Sequence, residues 1–377
     1  MTDYSSTAPA RLSTRLAFFA AGFAMACLAP LFPFIKAQVG ANEGQFGLIL
    51  LCLGLGSIIA MPITGVISAR YGAKPMILLG GFGLVAFLPV LVFAPSQIVL
   101  GGALFFFGAS LGTIDVAMNV HGAEIEGIEK RPLMSNYHAQ FSIGGFFGAG
   151  LVTLLLSLEI EFHIAAIIGA ALTLLAMIFS RGGLMSVSGD EPEPFKFPKG
   201  IVLLLALLAG ITFLVEGAVL DWGALLMIDQ ELAAKENAGI GYILFSIAMV
   251  IARLSGDRII TALGGFKVLL FGGLLTMLGI ATVLLGPTPI LAQSGFILIG
   301  LGAANLVPII FSAAGRQTIM PPSLAVASVT TTGYAGILLG PALVGFAANV
   351  SSLSTAFWLL AFLMAVIPLT AKIVGRV

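Results

Sequence analysis

The sequence predicts an all-α membrane protein in which twelve transmembrane helices form two pseudo-symmetric six-helix bundles. Two patterns predict this fold: a regular series of apolar runs long enough to cross a bilayer, and a repeat that relates the two halves of the chain. Of the 377 residues, 59% are hydrophobic and 9% are charged. That charged fraction is too small to cover a water-facing globular surface, so a soluble fold is excluded.

Twelve apolar segments approach the length of about 20 residues that a helix needs to cross the hydrocarbon core. Those of the first half lie near residues 16–36, 46–69, 75–94, 97–121, 135–158 and 163–180. Those of the second half lie near 200–228, 239–261, 266–286, 289–315, 323–349 and 353–374. The polar stretch 181–199, rich in Pro, Gly and charge, predicts a linker between an N-terminal bundle, 1–180, and a C-terminal bundle, 200–377.

The basic residues predict the orientation, because Lys and Arg in short loops resist translocation. With the N-terminus inside, all of the 17 basic residues except Lys36 and Lys235 fall on the cytoplasmic side. We therefore expect a multi-pass protein with both termini in the cytoplasm and a cytoplasmic linker. The same assignment places Arg253 at a cytoplasmic loop and predicts no Lys or Arg in the membrane core.

A fixed shift of 192 residues aligns the second half with the first without gaps, as when YGAKPMILLGG at 71–81 falls on LGGFKVLLFGG at 263–273. At the same shift, Gly144 falls on Gly336 in the fifth pair of segments. Because this shift covers an even number of spans, the two bundles should share one topology. We expect an axis along the membrane normal to relate them, with a cavity in the centre.

The turn after the second segment carries a spaced pattern of glycines and cations, namely Gly65, Arg70, Gly72 and Lys74. This pattern resembles the signature of the major facilitator superfamily, although Ala69 stands where that family has Asp. The resemblance implies a transporter built from two six-helix bundles. Glycine permits the tight turn, and the cations can bind helix C-terminal carbonyls and acidic partners. We expect a conformational latch here, either weaker or differently paired because the Asp is missing.

The corresponding turn of the second half reads RLSGDR and adds three charged residues to the predicted latch. They are Arg253, Asp257 and Arg258. Arg253 and Asp257 are four residues apart, so they can pair on one face of a helix. The preference of basic residues for the cytoplasmic side would by itself explain the cations of both turns, but it would not explain the spacing of the glycines.

Ionisable groups inside the membrane are costly, so each is a functional candidate. Asp115 lies in the fourth segment, and Asn119 follows at i+4 on the same face, while His138 and Gln140 open the fifth segment. An ionised carboxylate loses hydration in a partly dehydrated cavity, so protonation becomes accessible. We predict that Asp115 couples protons and binds substrate, that Asn119 and Gln140 bind substrate, and that His138 relays the proton.

The second half adds weaker candidates for the same roles. Glu216 lies in the apolar seventh segment and is the second choice for proton coupling as well as a substrate ligand. Asp221 and Trp222 either bind substrate or are a solvated acid beside an interfacial aromatic. Asn305 either contacts substrate or bonds a neighbouring helix.

The run from Asp115 to Asn119, followed by NYHAQFSIGG, is similar to the fucose:proton symporter family. In that family, an acid followed at i+4 by Asn serves proton coupling and sugar binding, which implies symport of a sugar-like or other small polar metabolite. The first segment, GFAMACLAPLFPF, has no acid where that family has one. The chain also resembles poorly characterised bacterial inner-membrane facilitators, which implies the inner membrane and no particular substrate.

Three other functions fit the sequence less well. Proton-driven efflux of drugs or metabolites is the main alternative. An intramembrane hydrolase would use Gly108, Ser110 and Gly112, which match Gly-x-Ser-x-Gly, but that motif needs a preceding strand. A channel would need rings of carbonyls or like charges, which the sequence lacks.

The expected partners are a small-molecule substrate, protons and the lipid bilayer, with the chain acting as a monomer and not as an enzyme. The net charge of +0 and the lack of a basic stripe exclude nucleic acid. Cys27 and Cys52 lie in apolar runs without metal-ligand spacing, so no metal and no cofactor is expected.

Overall fold

The computed structural model describes residues 7–41, 43–185, 197–233 and 240–377, and all regular secondary structure in them is helical. The first half contains α1 (Ala8–Gln38), α2 (Glu43–Tyr71), α3 (Ala73–Val92), α4 (Gln97–Glu129), α5 (Met134–Ser157) and α6 (Phe162–Arg181). The second half contains α7 (Ile201–Asp229), α8 (Ile240–Leu263), α9 (Gly265–Leu285), α10 (Pro289–Ala303), α11 (Leu306–Arg316), α12 (Pro322–Val350), α13 (Leu353–Met364) and α14 (Val366–Val374).

The described helices confirm the predicted twelve-helix, all-α fold. Helices α10 and α11 are consecutive parts of one span, Pro289–Arg316, and α13 and α14 are parts of another, Leu353–Val374. Within the described residues, eleven spans are long and apolar enough to cross a membrane. The remaining helix, α8, is of similar length but contains three charged side chains.

Two helices extend well beyond their predicted ends because the chain has local signals that the hydropathy pattern does not show. Helix α1 begins at Ala8, where Pro9 occupies the first turn, a position that tolerates proline. Helix α4 continues past residue 121 to Glu129 and ends where Lys130 adopts the left-handed conformation, with φ 52°. Arg11 of α1 pairs with Glu129 of α4, with Nε 3.2 Å from Oε1, so the two extensions support each other.

Both interrupted spans have a proline shortly after the interruption, where it removes one helical hydrogen bond. Pro308 has no N–H to donate to the carbonyl of Ala304, and Pro368 has none for the carbonyl of Met364. The backbone turns at Ala304 and Ala365 in consequence, and a new helix begins one or two residues later. The interruption between α10 and α11 is important for the site described below.

The chain divides into two compact units. Unit 1 comprises Met1–Lys130, Tyr137–Phe197 and Met320–Thr331, and unit 2 comprises Arg131–Asn136, Pro198–Ile319 and Thr332–Val377. Most of the predicted linker, 186–196 with Lys196, lies outside the described residues, as does Lys235. The bundle boundaries at 180 and 200 stay a prediction.

Helices α2 and α4 of unit 1 pack closely because small residues face each other. A side-chain carbon on Gly108 would collide with the carbonyl of Leu53. The hydroxyl of Ser57 donates to the carbonyl of Gly108 at 2.7 Å, and Thr64 bonds Thr113 at 3.2 Å. Polar cross-links between closely packed helices are typical of membrane helix pairs.

The local geometry of the two halves repeats at the shift of 192 residues. Gly72 separates α2 from α3 with φ 79°, and Gly264 separates α8 from α9 with φ 80°. A residue with a Cβ is strained at such φ values, which accounts for glycine in both turns. Ser96 and Thr288 each cap the next helix by accepting the N–H three residues on at 3.4 Å.

The outside of the described helices is apolar. Many large hydrophobic side chains are exposed, among them Ile98, Phe146 and Leu369. Contact of such a surface with water is unfavourable, whereas contact with lipid chains is not. These apolar exposed faces are suited to contact with lipid.

Candidate functional site

In unit 1, a chain of hydrogen bonds joins three of the four ionisable or polar residues predicted on α4 and α5. The side-chain amide of Asn119 donates to the carboxylate of Asp115 at 3.1 Å and to the backbone carbonyl of Asp115 at 2.9 Å. The Nε2 atom of His138 lies 3.2 Å from the Oδ1 atom of Asn119. The i+4 spacing on α4 and the start of α5 therefore bring the three groups together as the sequence predicted.

The direction of these bonds determines which imidazole nitrogen carries hydrogen. The NH₂ group of Asn119 faces Asp115, so its Oδ1 atom faces His138 and can only accept. The Nε2 atom of His138 must then be the donor. Asn119 is fully buried, and the ring of Phe18 packs on His138 with centroids 5.3 Å apart, so this path is shielded from bulk water.

Gln140, the other predicted ligand on α5, lies half-buried on a different side of that helix. Residues two positions apart in a helix are separated by about 200° around its axis, so His138 and Gln140 point in nearly opposite directions. The structure does not bring Gln140 into the chain of bonds from Asp115 to His138.

In unit 2, the predicted Glu216 of α7 forms an ion pair with Arg253 of α8. The closest atoms, Oε1 of Glu216 and a terminal guanidinium nitrogen of Arg253, are 3.7 Å apart. Arg253 is 6% exposed and lies ten residues before the end of α8. Arg253 is therefore a buried residue within α8, and the prediction that it lies at a cytoplasmic loop is wrong.

The interruption between α10 and α11 explains the position of Arg253. The carbonyl of Ala304, which Pro308 leaves without its helical donor, accepts the Nε hydrogen of Arg253 at 3.1 Å. Asn305 donates from its side chain to the carbonyl of Ala252 at 3.2 Å. The second of the two predicted roles for Asn305, a bond to a neighbouring helix, is present in the structure.

Asp221 and Trp222 lie further along α7. Asp221 is exposed, and the indole of Trp222 is half-buried against the surface of Gly345. Both the substrate-binding prediction and the interfacial alternative remain compatible with these positions, so neither role is assigned.

The first part of the predicted latch forms a helix, a one-residue turn and a second helix. Gly65 lies in α2 and packs against Ala327 near the start of α12, so closely that a Cβ added to Gly65 would lie 2.5 Å from the Cβ atom of Ala327. Arg70 is exposed and stacks over the ring of Tyr71, with 5.0 Å from its guanidinium carbon to the ring centroid. Lys74 is half-buried in the first turn of α3.

The second part of the predicted latch lies entirely within α8. The carboxylate of Asp257 accepts the backbone N–H of Asn136, in the first turn of α5, at 3.3 Å. A carboxylate at a helix N-terminus is favoured because the first N–H groups lack helical acceptors. Arg258, next along the helix, is exposed. The sequence showed no sign of the contact between Asp257 and Asn136, because 121 residues separate them.

The hydrolase alternative has no structural basis in the described residues. Ser110 donates to the carbonyl of Phe106 within α4 at 2.7 Å, as a helical serine commonly does. His121 bonds Thr14 and the backbone of Met185 instead. The Gly-x-Ser-x-Gly match reflects the close packing of α4, where Gly108 contacts α2.

No cluster of three or more His, Cys, Asp or Glu able to hold a metal occurs in the part of the chain that the structure describes. Cys27 is buried in α1 and Cys52 is half-buried in α2. Neither cysteine belongs to the sites in unit 1 or unit 2.

Comparisons with known proteins identify the family. The family model of the Major Facilitator Superfamily matches residues 15–323. An uncharacterised MFS-type transporter of Yersinia pestis is 45% identical over 368 residues, covering 97% of this chain and 96% of its own.

Two solved structures show the same fold at low sequence identity. The fucose:proton symporter FucP of E. coli superposes with a TM-score of 0.79 at 17% identity, covering 98% of this chain and 99% of its own. The human organic anion transporter MFSD10 superposes with a TM-score of 0.81 at 15% identity, covering 97% and 99%. At these identities the likeness concerns the fold.

Proposed function

The chain belongs to the major facilitator superfamily and is a membrane transporter, and we propose that it carries a small polar metabolite by proton-coupled symport. In this proposal the two sequence halves, 1–180 and 200–377, rock against each other to give alternating access. The protein acts in the bacterial inner membrane with both termini in the cytoplasm. Proton-driven efflux remains the alternative direction of transport.

The hydrogen-bonded chain from Asp115 through Asn119 to His138 is the observation that carries the proposal. It joins one carboxylate, one amide and one imidazole across α4 and α5 in a shielded position. The carboxylate and the imidazole can each take up and release a proton, and the buried amide between them holds the two groups in a fixed relation. Asp115 is the coupling group, His138 passes the proton on, and Asn119 responds to the charge of both.

Coupling follows if substrate binds one protonation state of Asp115 better than the other. Protonation converts the carboxylate from an acceptor to a donor and removes its charge, so it changes the contacts open to Asn119 and to substrate. A sugar-like substrate would offer hydroxyls that both accept and donate. The solved structure of a fucose:proton symporter with this fold supports such a substrate class.

We also propose that the two latch regions hold the cytoplasmic side closed in one state. The contact of Gly65 with Ala327 and the bond from Asn136 to Asp257 support this proposal. Ala69 cannot supply an anion to a helix N-terminus, whereas Asp257 can. The second latch region is therefore the stronger of the two.

The decisive experiment compares Asp115→Asn with the unmodified protein in proteoliposomes, after a thermal-shift panel of sugars, amino acids, organic acids and cationic drugs has identified a substrate. We expect proton-driven accumulation to vanish, because the amide cannot take up a proton. Exchange of substrate without a gradient should survive, because the amide preserves the shape and part of the hydrogen bonding.

Asp229→Asn is the matched control, because Asp229 is exposed at the end of α7 and belongs to neither site. It should accumulate substrate like the unmodified protein. Accumulation by Asp115→Asn under a pH gradient would show that the coupling assignment is wrong, and Glu216 would be tested next. Accumulation in the opposite direction would favour the efflux alternative.

A further inference from the structure

The ion pair between Glu216 and Arg253 in unit 2 has no role in the proposed coupling chain. In the described part of the chain, Arg253 is the one Lys or Arg among the buried polar side chains. Burying a guanidinium in a membrane protein is expensive, and such residues commonly face substrate or ion pathways. A function is therefore expected for the pair.

Arg253 is held in place by more than its carboxylate partner. The Nε–H group of Arg253 donates to the carbonyl of Ala304, which Pro308 leaves without a helical donor. The neighbouring bond from Asn305 to Ala252 joins the same two segments, α8 and the interruption between α10 and α11. The guanidinium thus keeps its position when its counter-ion changes.

Glu216, by contrast, is loosely held. Its Oε1 atom is buried, lies 3.7 Å from Arg253 and has no hydrogen-bond partner among the residues that the structure describes. Strong Arg–carboxylate pairs are shorter and often bidentate, with donor and acceptor about 2.8 Å apart. The Glu216 side chain is also more exposed than that of Arg253, at 15% against 7%. The carboxylate is the partner that can leave.

We propose that Arg253 binds a carboxylate group of the transported substrate, and that Glu216 occupies this position when substrate is absent. This inference rests on the proposed function and names its substrate class as small organic acids. When the anion arrives, Glu216 takes up one proton and withdraws, so that Arg253 exchanges one carboxylate for another. The site gains one negative charge and one proton, and its net charge is unchanged.

The balance of charge is the physical reason for this exchange. A buried guanidinium without a counter-ion is as unfavourable as a buried ion pair from which one partner has been removed. Replacing one carboxylate with another avoids that cost at each stage. The alternative is a permanent structural ion pair, which would make the protein indifferent to carboxylates.

The test uses thermal unfolding of the purified protein with acetate, lactate, gluconate and glucuronate. Each is compared with a neutral counterpart: acetamide, lactamide, or glucose for the two sugar acids. At least one carboxylate should raise the melting temperature more than its counterpart does. Because a proton binds with the anion, the apparent affinity should rise as pH falls, by up to about tenfold per pH unit.

Three variants separate the two explanations. Arg253→Gln should weaken carboxylate binding by about tenfold or more, because a charged hydrogen bond is lost. Glu216→Gln mimics the protonated acid, so it should bind the carboxylate more tightly and without pH dependence. Lys267→Gln removes a positive charge from an exposed position of α9 in the same unit and should behave like the unmodified protein.

The proposal is overturned if no carboxylate exceeds its neutral counterpart, or if Arg253→Gln binds it equally well. Should Arg253→Gln fail to fold, Glu216→Gln decides alone, and an unchanged pH dependence there overturns the proposal. Asp115→Asn should retain carboxylate binding and its pH dependence, because the accompanying proton binds Glu216. Proton-driven accumulation of a carboxylate by Asp115→Asn would therefore place the coupling at Glu216 and refute its assignment to Asp115. Failure of proton-driven accumulation in the unmodified protein would instead refute the proposed symport while leaving the carboxylate test intact.

Discussion

At the scale of single residues, the proposed coupling site depends on a buried amide with two different neighbours. Asn119 donates to Asp115 and accepts from His138, so each partner satisfies the opposite end of one side chain. A buried polar atom that loses its partner keeps the full cost of desolvation. The imidazole therefore contributes to stability as well as to proton transfer.

Replacing His138 tests this arrangement. His138→Ala leaves the Oδ1 atom of Asn119 buried without a donor, which should cost about 1 to 3 kcal/mol of folding free energy. His138→Gln can still donate from its amide and should lose less. The melting temperatures of both variants in one detergent give the comparison. Equal losses would show that the bond from His138 to Asn119 contributes nothing.

At the scale of helices, glycine positions determine which pairs can approach. Gly108 of α4 contacts the carbonyl of Leu53 in α2, whereas Gly102 of the same helix faces open space. Helix propensity disfavours both glycines by about 1 kcal/mol relative to Ala. Packing is therefore the reason for one of them and not for the other.

This difference predicts opposite effects for the same substitution in one helix. Gly108→Ala forces α2 and α4 apart and should destabilise the protein by about 1 to 3 kcal/mol, the usual cost of overpacking. Gly102→Ala should leave the melting temperature unchanged or raise it slightly. A Gly108→Ala variant as stable as Gly102→Ala would refute the packing role and reopen the question of why Gly-x-Ser-x-Gly occurs there.

At the scale of the whole molecule, the proposal requires two states that differ in access. Tyr71 and Leu263 are well placed to report them, because they end α2 and α8 and are 58% and 46% exposed. They also correspond to each other at the shift of 192 residues. Both should lie on the cytoplasmic side by the distribution of basic residues.

Spin labels at these two positions, with Cys27 and Cys52 replaced by Ala, should give a distance distribution that changes with substrate and pH. Asp257→Ala removes the carboxylate that accepts from Asn136, so it should shift the distribution towards the longer distance without ligand. One unchanging distance under every condition would contradict alternating access. A normal distribution in Asp257→Ala would contradict the latch alone.

The amino-acid sequence was sufficient to predict the fold class, because hydropathy and span length follow directly from the bilayer. It was also sufficient to place Asp115 and Asn119 on one face, since helical spacing alone requires this. The contact of Asn119 with His138 could also be predicted, because only a short loop joins α4 to α5.

The environment of Arg253 could be seen only once the helices were packed together. A basic residue near a predicted loop looks like a topology signal, and nothing in its own helix indicates Glu216 of α7 or the carbonyl of Ala304. The contact of Asp257 with Asn136 is equally hidden. Local patterns determine which helices form and which faces they present, but the partner of a buried charge depends on packing between segments that are distant in the chain.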